Sequence, residues 1–238
     1  MTDTPIPALD ADAPTRTVAM LVFDGMALLD LVGPQTVFTA AGMQVSLVAV
    51  APGPVRCDTG VRIEPTTTTA ECPAEVDVLF VPGGDVSGVM ADETALAFLA
   101  DRGATAGYVT SVCTGSMVLA AAGLLDGHRA ATHWSTRDLL GGLGVEVSAE
   151  RVCADGNRIT GGGVTAGIDF GLTLVARMFG DATAEFAQLV LEYDPAPPFD
   201  AGTPERAKPE HVAWIREFLT SPDSELVAAV ERARRPVG

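Results

Sequence analysis

The chain has 238 residues, 31 acidic and 15 basic, for a formal charge of −16, which argues against nucleic acid as its main partner because a phosphate backbone needs a cationic face. With 47% hydrophobic and 19% charged residues it can bury a sizeable core, so disorder of the whole is excluded. Its longest apolar stretches, such as Val118 to Leu125, fall far short of the ~20 residues that span a bilayer, which leaves no expectation of a membrane partner.

Residues 1–14 hold three prolines and three aspartates without helical or strand periodicity, and read as a flexible tail. That segment also lacks the basic and apolar regions of a secretory signal, so a cytoplasmic location is the default expectation. From Arg16 onward, short branched-aliphatic runs alternate with helical ones. Strands are expected at Thr17–Phe23, Gln44–Val50, Val76–Val81 and Tyr108–Val112, and helices at Leu31–Ala41, Thr94–Asp101 and Thr114–Ala122, the last ended by Gly123. That alternation predicts an α/β fold with a mostly parallel central sheet and helices on both faces. Two hairpin-like insertions, at Cys57–Pro65 and at Val145–Thr160 around the Asp155-Gly156-Asn157 turn, are expected as antiparallel additions at an edge. Amphipathic helices follow at Thr165–Phe179 and Ala182–Glu192, then a Pro-rich stretch from Asp194 to Pro204 and a final helical segment, Glu210–Arg235. The resulting organisation is a tail at 1–14, one domain over 15–204 and a C-terminal helical extension over 205–238.

Four cysteines, Cys57, Cys72, Cys113 and Cys153, form no CxxC pair, which predicts neither a disulfide framework nor a zinc knuckle. Cys113 stands apart. In the run Thr110–Leu125 a β-rich segment enters Cys113, a small-residue turn Thr114-Gly115-Ser116 follows, and an Ala-rich helix begins at once. This is the strand–turn–helix pattern of a nucleophile elbow, with cysteine in the nucleophile position. A sulfur at a helix start is expected to have its pKa lowered toward the thiolate; the competing reading is a small buried hydrophobe at a tight junction. The other three cysteines lack such a setting.

In Val22–Pro34, Asp30 precedes a helix. It serves either as that helix's N-cap or as a ligand-facing residue at the carboxyl edge of the first strand. Beside Cys113 it would have to hold its proton, since two adjacent anions repel. The run Val81–Gly88 ends a strand in two glycines that allow backbone N–H groups to approach a developing anion. Gly161–Asp169 is a second Gly-rich junction without the GxGxxG spacing, and no GxxxxGK[ST] occurs, so nucleotide cofactors are not supported. His133 and Trp134 lie twenty residues beyond the elbow and come within its reach from the next strand, although a lone histidine is more often structural. No HExxH or clustered His, Asp and Glu suggests a metal.

Taken together, FDGMALLDLVGP, VPGG, YVTSVCTGS, AAGLLDG, ATHW, DGNRITGGGVTAGIDF and LEYDPAPPFDAGTP resemble the ThiJ/PfpI superfamily and, within it, the isocyanide hydratases. The resemblance covers residues 16 to 203. It implies a flavodoxin-like sandwich of the class I glutamine amidotransferase type, a homodimer and a cofactor-free site. It also implies Cys113 as nucleophile and Asp30 as general acid/base, acting on an isocyanide as the small-molecule substrate. Backbone groups of Gly84 and Thr114 would hold charge in the adduct, and the Gly163-Val164 segment would pack against the sulfur. Thr114 stands where peptidase and amidase relatives carry histidine. Asp30 stands where glyoxalase and deglycase relatives carry glutamate. Glyoxalase chemistry and a non-catalytic cysteine redox sensor stay open as alternatives. Related transcriptional regulators append a helix-turn-helix module, for which the 34 residues after Pro204 are expected to leave no room.

Overall fold

The computed structural model describes residues 15–221 and 223–234. The expected tail, residues 1–14, and Arg235, the expected end of the last helix, lie outside the described residues.

Side chains buried at successive positions, rather than at alternate ones, mark strands covered on both faces. Three such strands form the centre of the molecule: β1 (Thr17–Leu21), β6 (Val78–Val81) and β7 (Tyr108–Val112). They are flanked by β2 (Gln44–Ala49) and β5 (Thr67–Thr68) on one side, and by β11 (Arg158–Gly161) and β10 (Val152–Asp155) on the other. The order is β10-β11-β7-β6-β1-β2-β5, parallel throughout except for the β10–β11 pair.

Because the side-chain period of a strand is two, each strand feeds two cores. Val18 and Met20 of β1 join Phe80 under α1 (Leu28–Ala40) and α5 (Ala166–Phe179), where the Phe170 ring meets those of Phe38 and Phe80 at 6.1 and 5.6 Å. Ala19 and Leu21 join Leu79, Val81 and Val109 against α2 (Glu93–Gly103) and α3 (Gly115–Ala121). The α/β sandwich expected from the sequence is therefore the observed one. α6 (Asp181–Val190) packs on α5.

Three expectations are corrected. The hairpin β3 (Val55–Arg56) and β4 (Arg62–Ile63) forms a two-stranded sheet of its own instead of extending an edge. In the second insertion only β10 is an edge strand. β11 lies inside the sheet, parallel to β7, with Ile159 and Thr160 fully buried. The third strand of that insertion, β9 (Glu146–Ser148), pairs in parallel with β8 (Arg129–Ala131) as a separate small sheet, next to α4 (Arg137–Gly142). Finally, the single helix expected over Glu210–Arg235 is two, α7 (Pro209–Thr220) and α8 (Glu225–Ala233). A proline at position 222 offers no N–H to continue the ladder, and the Ser224 hydroxyl accepts the Val227 N–H to start the new helix. α8 returns to the domain, where Ala229 and Val230 complete the α2/α3 core.

Candidate active site

Parallel strands all release their chain at one edge, so the loops after β1, β6, β7 and β11 converge. The loop from β1 is tied to the exit of β6: Ala27 N–H donates to Gly83 O at 2.8 Å and Asp85 N–H to Gly25 O at 3.0 Å. α1 then begins at Leu28 with Ala27 as its cap residue. Asp30 thus stands inside the first turn and is not the N-cap. Its carboxylate crosses to the β6 exit, where Oδ2 accepts the Gly83 N–H at 2.9 Å, and the side chain is fully buried.

At the end of β7, Cys113 adopts φ +57°, a left-handed conformation that a residue with a Cβ holds only when its surroundings enforce it. They do so through the backbone. Cys113 N–H donates to Gly162 O at 2.7 Å and Gly161 O at 3.1 Å, while its carbonyl accepts the Thr132 hydroxyl at 2.9 Å. This is the elbow that the sequence pattern predicts. The bend brings the cysteine side chain to Gly83 and Asp30, and the closeness is measurable. A Cβ placed on Gly83 would lie 2.7 Å from each of Asp30 Oδ2, Cys113 Cβ and the Thr114 nitrogen. Only glycine leaves room for acid and thiol to share that floor.

Gly84 has φ +119°, and a Cβ there would lie 2.4 Å from the Ala27 nitrogen. Thr114 Oγ1 accepts the Gly84 N–H at 2.9 Å and donates to the Gly84 carbonyl at 2.8 Å. The Gly84 N–H is therefore occupied, and the donor that the elbow presents to sulfur is the N–H of Thr114. The Gly163 and Val164 carbonyls, expected near the sulfur, accept Ala166 N–H at 2.7 Å and Gly167 N–H at 3.2 Å in the first turn of α5. The carbonyls that reach the elbow belong to Gly161 and Gly162.

Burial drives the electrostatics. Loss of water pushes the Asp30 carboxyl up to about 7, against the pull of the Gly83 N–H and the Cys113 thiol beside it. The Cys113 thiol is also pushed up, first by burial and then by the Asp30 charge, with the Thr114 N–H and hydroxyl pulling it down. The expected lowering at a helix start is thus reversed, because desolvation and a neighbouring carboxylate outweigh one turn of helix. A state with both groups charged is excluded near neutral pH, so the pair carries at least one proton. Asp30 Oδ1 is buried without a hydrogen-bond partner among the described residues.

His133 sits apart from this pair. Its Nδ1 lies 2.7 Å from Ser135 Oγ, and its ring lies over Gly163, where a Cβ would approach Cδ2 to 2.8 Å. Burial, and then the Arg137 charge, push its pKa down, so the imidazole is neutral near pH 7. His133 and Trp134 line a cavity of about 450 Å³ with Thr132, Arg137, the Gly162–Thr165 turn and the Gly202–Glu205 segment. Cys113 is not in that lining and is 6% exposed. The other three cysteines are free and buried. Among the described residues no cluster of His, Cys, Asp or Glu could hold a metal ion, and no helix is long and apolar enough to cross a membrane.

Sequence reasoning noted the two glycines of VPGG without giving Gly83 its role beside acid and thiol, and it missed Thr132. The first glycine of VPGG carried a usable signal, since a strand that ends in two glycines often needs each for a separate reason. Thr132 carried none, because its bond to the Cys113 carbonyl spans nineteen residues.

The model of the DJ-1/PfpI family matches residues 16–177, from the start of β1 to the last turn of α5. The chain belongs to the DJ-1/PfpI family. Among curated members it is 51% identical over 192 residues to an isonitrile hydratase of Pseudomonas putida, covering 80% of this chain and 84% of that protein. It is 28% identical over 175 residues to a Parkinson disease protein 7 homolog of Danio rerio, covering 71% and 93%. Among solved structures, a ThiJ/PfpI family protein from Pseudomonas syringae superposes with a TM-score of 0.87 at 46% identity, covering 91% of each chain.

Proposed function

We propose that this DJ-1/PfpI protein hydrates organic isocyanides to N-formamides, with Cys113 as nucleophile and Asp30 as the acid/base that serves it. The observation that carries the reading is the pairing of a buried carboxyl, pushed up to about 7, with a buried thiol across the bare backbone of Gly83. The likeness to the isonitrile hydratase supports the substrate class.

In the first step ionised Asp30 takes the thiol proton, and the thiolate attacks the terminal carbon of R–N≡C. Asp30 returns the proton to that carbon, which gives the thioimidate R–N=CH–S–Cys113 and an aspartate. Water then adds to the same carbon, its proton going to Asp30. The hydroxyl proton of the adduct passes to nitrogen as the C–S bond breaks, releasing R–NH–CHO and the thiolate. Protonated Asp30 re-protonates the sulfur, and the pair returns to its starting state. Thr114 N–H steadies the sulfur while it is charged, and Asp30 Oδ1, without a hydrogen-bond partner among the described residues, is the oxygen left to handle the water. The near burial of Cys113 suits this substrate: a linear isocyano group carries its reactive carbon at the tip of a thin rod, so little room is needed beside the sulfur.

The proposal includes a homodimer, supported by Leu29 and Val61, large apolar side chains 43% and 46% exposed, the first of them adjacent to Asp30. The test is to incubate the purified protein with an alkyl isocyanide and follow N-formamide by NMR, with intact-mass analysis for a covalent adduct. Turnover that disappears in Cys113→Ala supports the reading. Full formamide production by Cys113→Ala overturns it, and turnover of methylglyoxal alone transfers the protein to the glyoxalase class.

A further inference from the structure

The hydration chemistry leaves the 450 Å³ cavity without a task, yet the cavity abuts the elbow. Thr132 and Gly162, two of its wall residues, are the residues whose hydroxyl and carbonyl bond the Cys113 backbone at 2.9 and 2.7 Å. The Cys113 backbone therefore adjoins that wall. The volume lies within the range of roughly 300–1,000 Å³ typical of small-molecule pockets.

The wall's chemistry is specific. Ser135 N–H points at His133 Nδ1 from 3.4 Å, which makes Nδ1 the acceptor and places the ring proton on Nε2. Nε2 has no protein partner among the described residues, so the neutral imidazole offers the cavity one unused donor. The Trp134 ring lies beside it at 5.5 Å and is backed by the Arg216 guanidinium at 5.7 Å, leaving a planar apolar face. Of the two guanidinium groups in the wall, that of Arg151 is matched by a carboxylate. Arg151 is bound to Asp169 at 2.7 Å, whereas Arg137 donates to the Ala149 carbonyl at 3.1 Å and keeps a buried Nε without a hydrogen-bond partner among the described residues. With His133 Nε2–H as an open donor and the Glu150 and Glu205 carboxylates also in the wall, in a chain of net charge −16, the cavity favours a neutral acceptor over an anion.

Resting on the hydration reading, we infer that this cavity holds the substituent R of the isocyanide and selects neutral substituents that carry an acceptor oxygen, such as esters, with His133 Nε2–H as the donor. Part of the wall, Gly202–Glu205, lies beyond the family-matched residues 16–177. The C-terminal segment thereby acquires a role, and substituent choice becomes a property of this chain more than of the shared fold.

The test compares kcat/KM for an isocyanoacetate ethyl ester with that for cyclohexyl isocyanide in the full-length protein and in His133→Phe, which keeps a ring and removes the donor. The ester-to-cyclohexyl ratio is expected to fall about tenfold, the value of one neutral hydrogen bond, and to recover in His133→Gln. An unchanged ratio overturns the inference, as does a wild-type preference for the free carboxylate over its ester. If the wild type hydrates neither isocyanide, the hydration reading fails separately. Titrating wild type and His133→Phe with N-formylglycine ethyl ester by tryptophan fluorescence then decides the cavity on its own: tighter binding by wild type supports it, and equal binding overturns it.

Discussion

Asp30→Asn is expected to make the protein more stable while it destroys activity. In the unfolded chain this carboxyl titrates near 3.8, and in the folded pocket at about 7. Folding therefore favours the protonated form, and the stability this group allows is fully present below pH 3.8 and lost as pH rises through about 7. The whole gap corresponds to about 4 kcal/mol at 1.36 kcal/mol per pH step, an order-of-magnitude figure for a fully buried group. Asparagine has the same shape, can still accept the Gly83 N–H, and never ionises. Between pH 5 and pH 8 its advantage over aspartate should grow by about 3 kcal/mol. Urea denaturation of both proteins at the two pH values reads this directly as a widening gap between midpoints. Formamide production should fall by about 10²- to 10⁴-fold, the usual contribution of a general acid/base. A gap between midpoints that stays constant from pH 5 to pH 8 would refute the claim that the pocket holds a carboxyl against ionisation.

Three further outcomes are expected. The rate constant kcat/KM should rise with pH through about 7, because in the proposed mechanism the ionised Asp30 takes the thiol proton, and Asp30→Asn should lack that limb; a flat wild-type profile would contradict the assignment. Gly83→Ala should reduce hydration by more than about 100-fold through misplacement of acid and thiol. The clash of its new Cβ with Asp30, Cys113 and the Thr114 nitrogen should lower stability by about 1–3 kcal/mol, and denaturation midpoints separate the two effects. Val230→Asp should destabilise by about 3 kcal/mol or more, since it buries a carboxylate among apolar side chains, and limited proteolysis should then release α8 first.

The architecture was legible because its signals are local. Branched runs such as Val78–Val81 and the Gly-Ser-Met start of α3 declare strand and helix without reference to the rest of the chain, and the elbow at Cys113 follows from their abutment. What the sequence hid depends on contacts between distant segments. β11 reads like an edge hairpin until β7 is found beside it, and β3–β4 reads like an edge addition because nothing local says which strand it misses. The position of Asp30 was legible; its bond to Gly83, fifty-three residues away, was not. The thiol pKa was misjudged for the same reason. Helix position can be read from a pattern, whereas complete burial beside a carboxylate is a property of the assembled fold.

That misjudgement bears on the choice between enzyme and redox sensor. Oxidation of a cysteine begins with the thiolate, so a sensor benefits from an exposed thiol whose pKa is low at rest. Here the resting thiol is protonated, 6% exposed and held so by its own neighbour. The same neighbour can remove the proton once a substrate carbon is in place to receive the sulfur's electron pair, because the charge then moves into a covalent bond instead of remaining in a dry pocket. Burial that hinders a standing thiolate also leaves Asp30 as the closest proton carrier for the proposed adduct. The arrangement therefore suits a nucleophile made on demand, and iodoacetamide should alkylate Cys113 slowly at pH 7 unless a small isocyanide-like probe is used instead. Rapid alkylation of resting Cys113 at that pH would show a standing thiolate and restore the sensor reading.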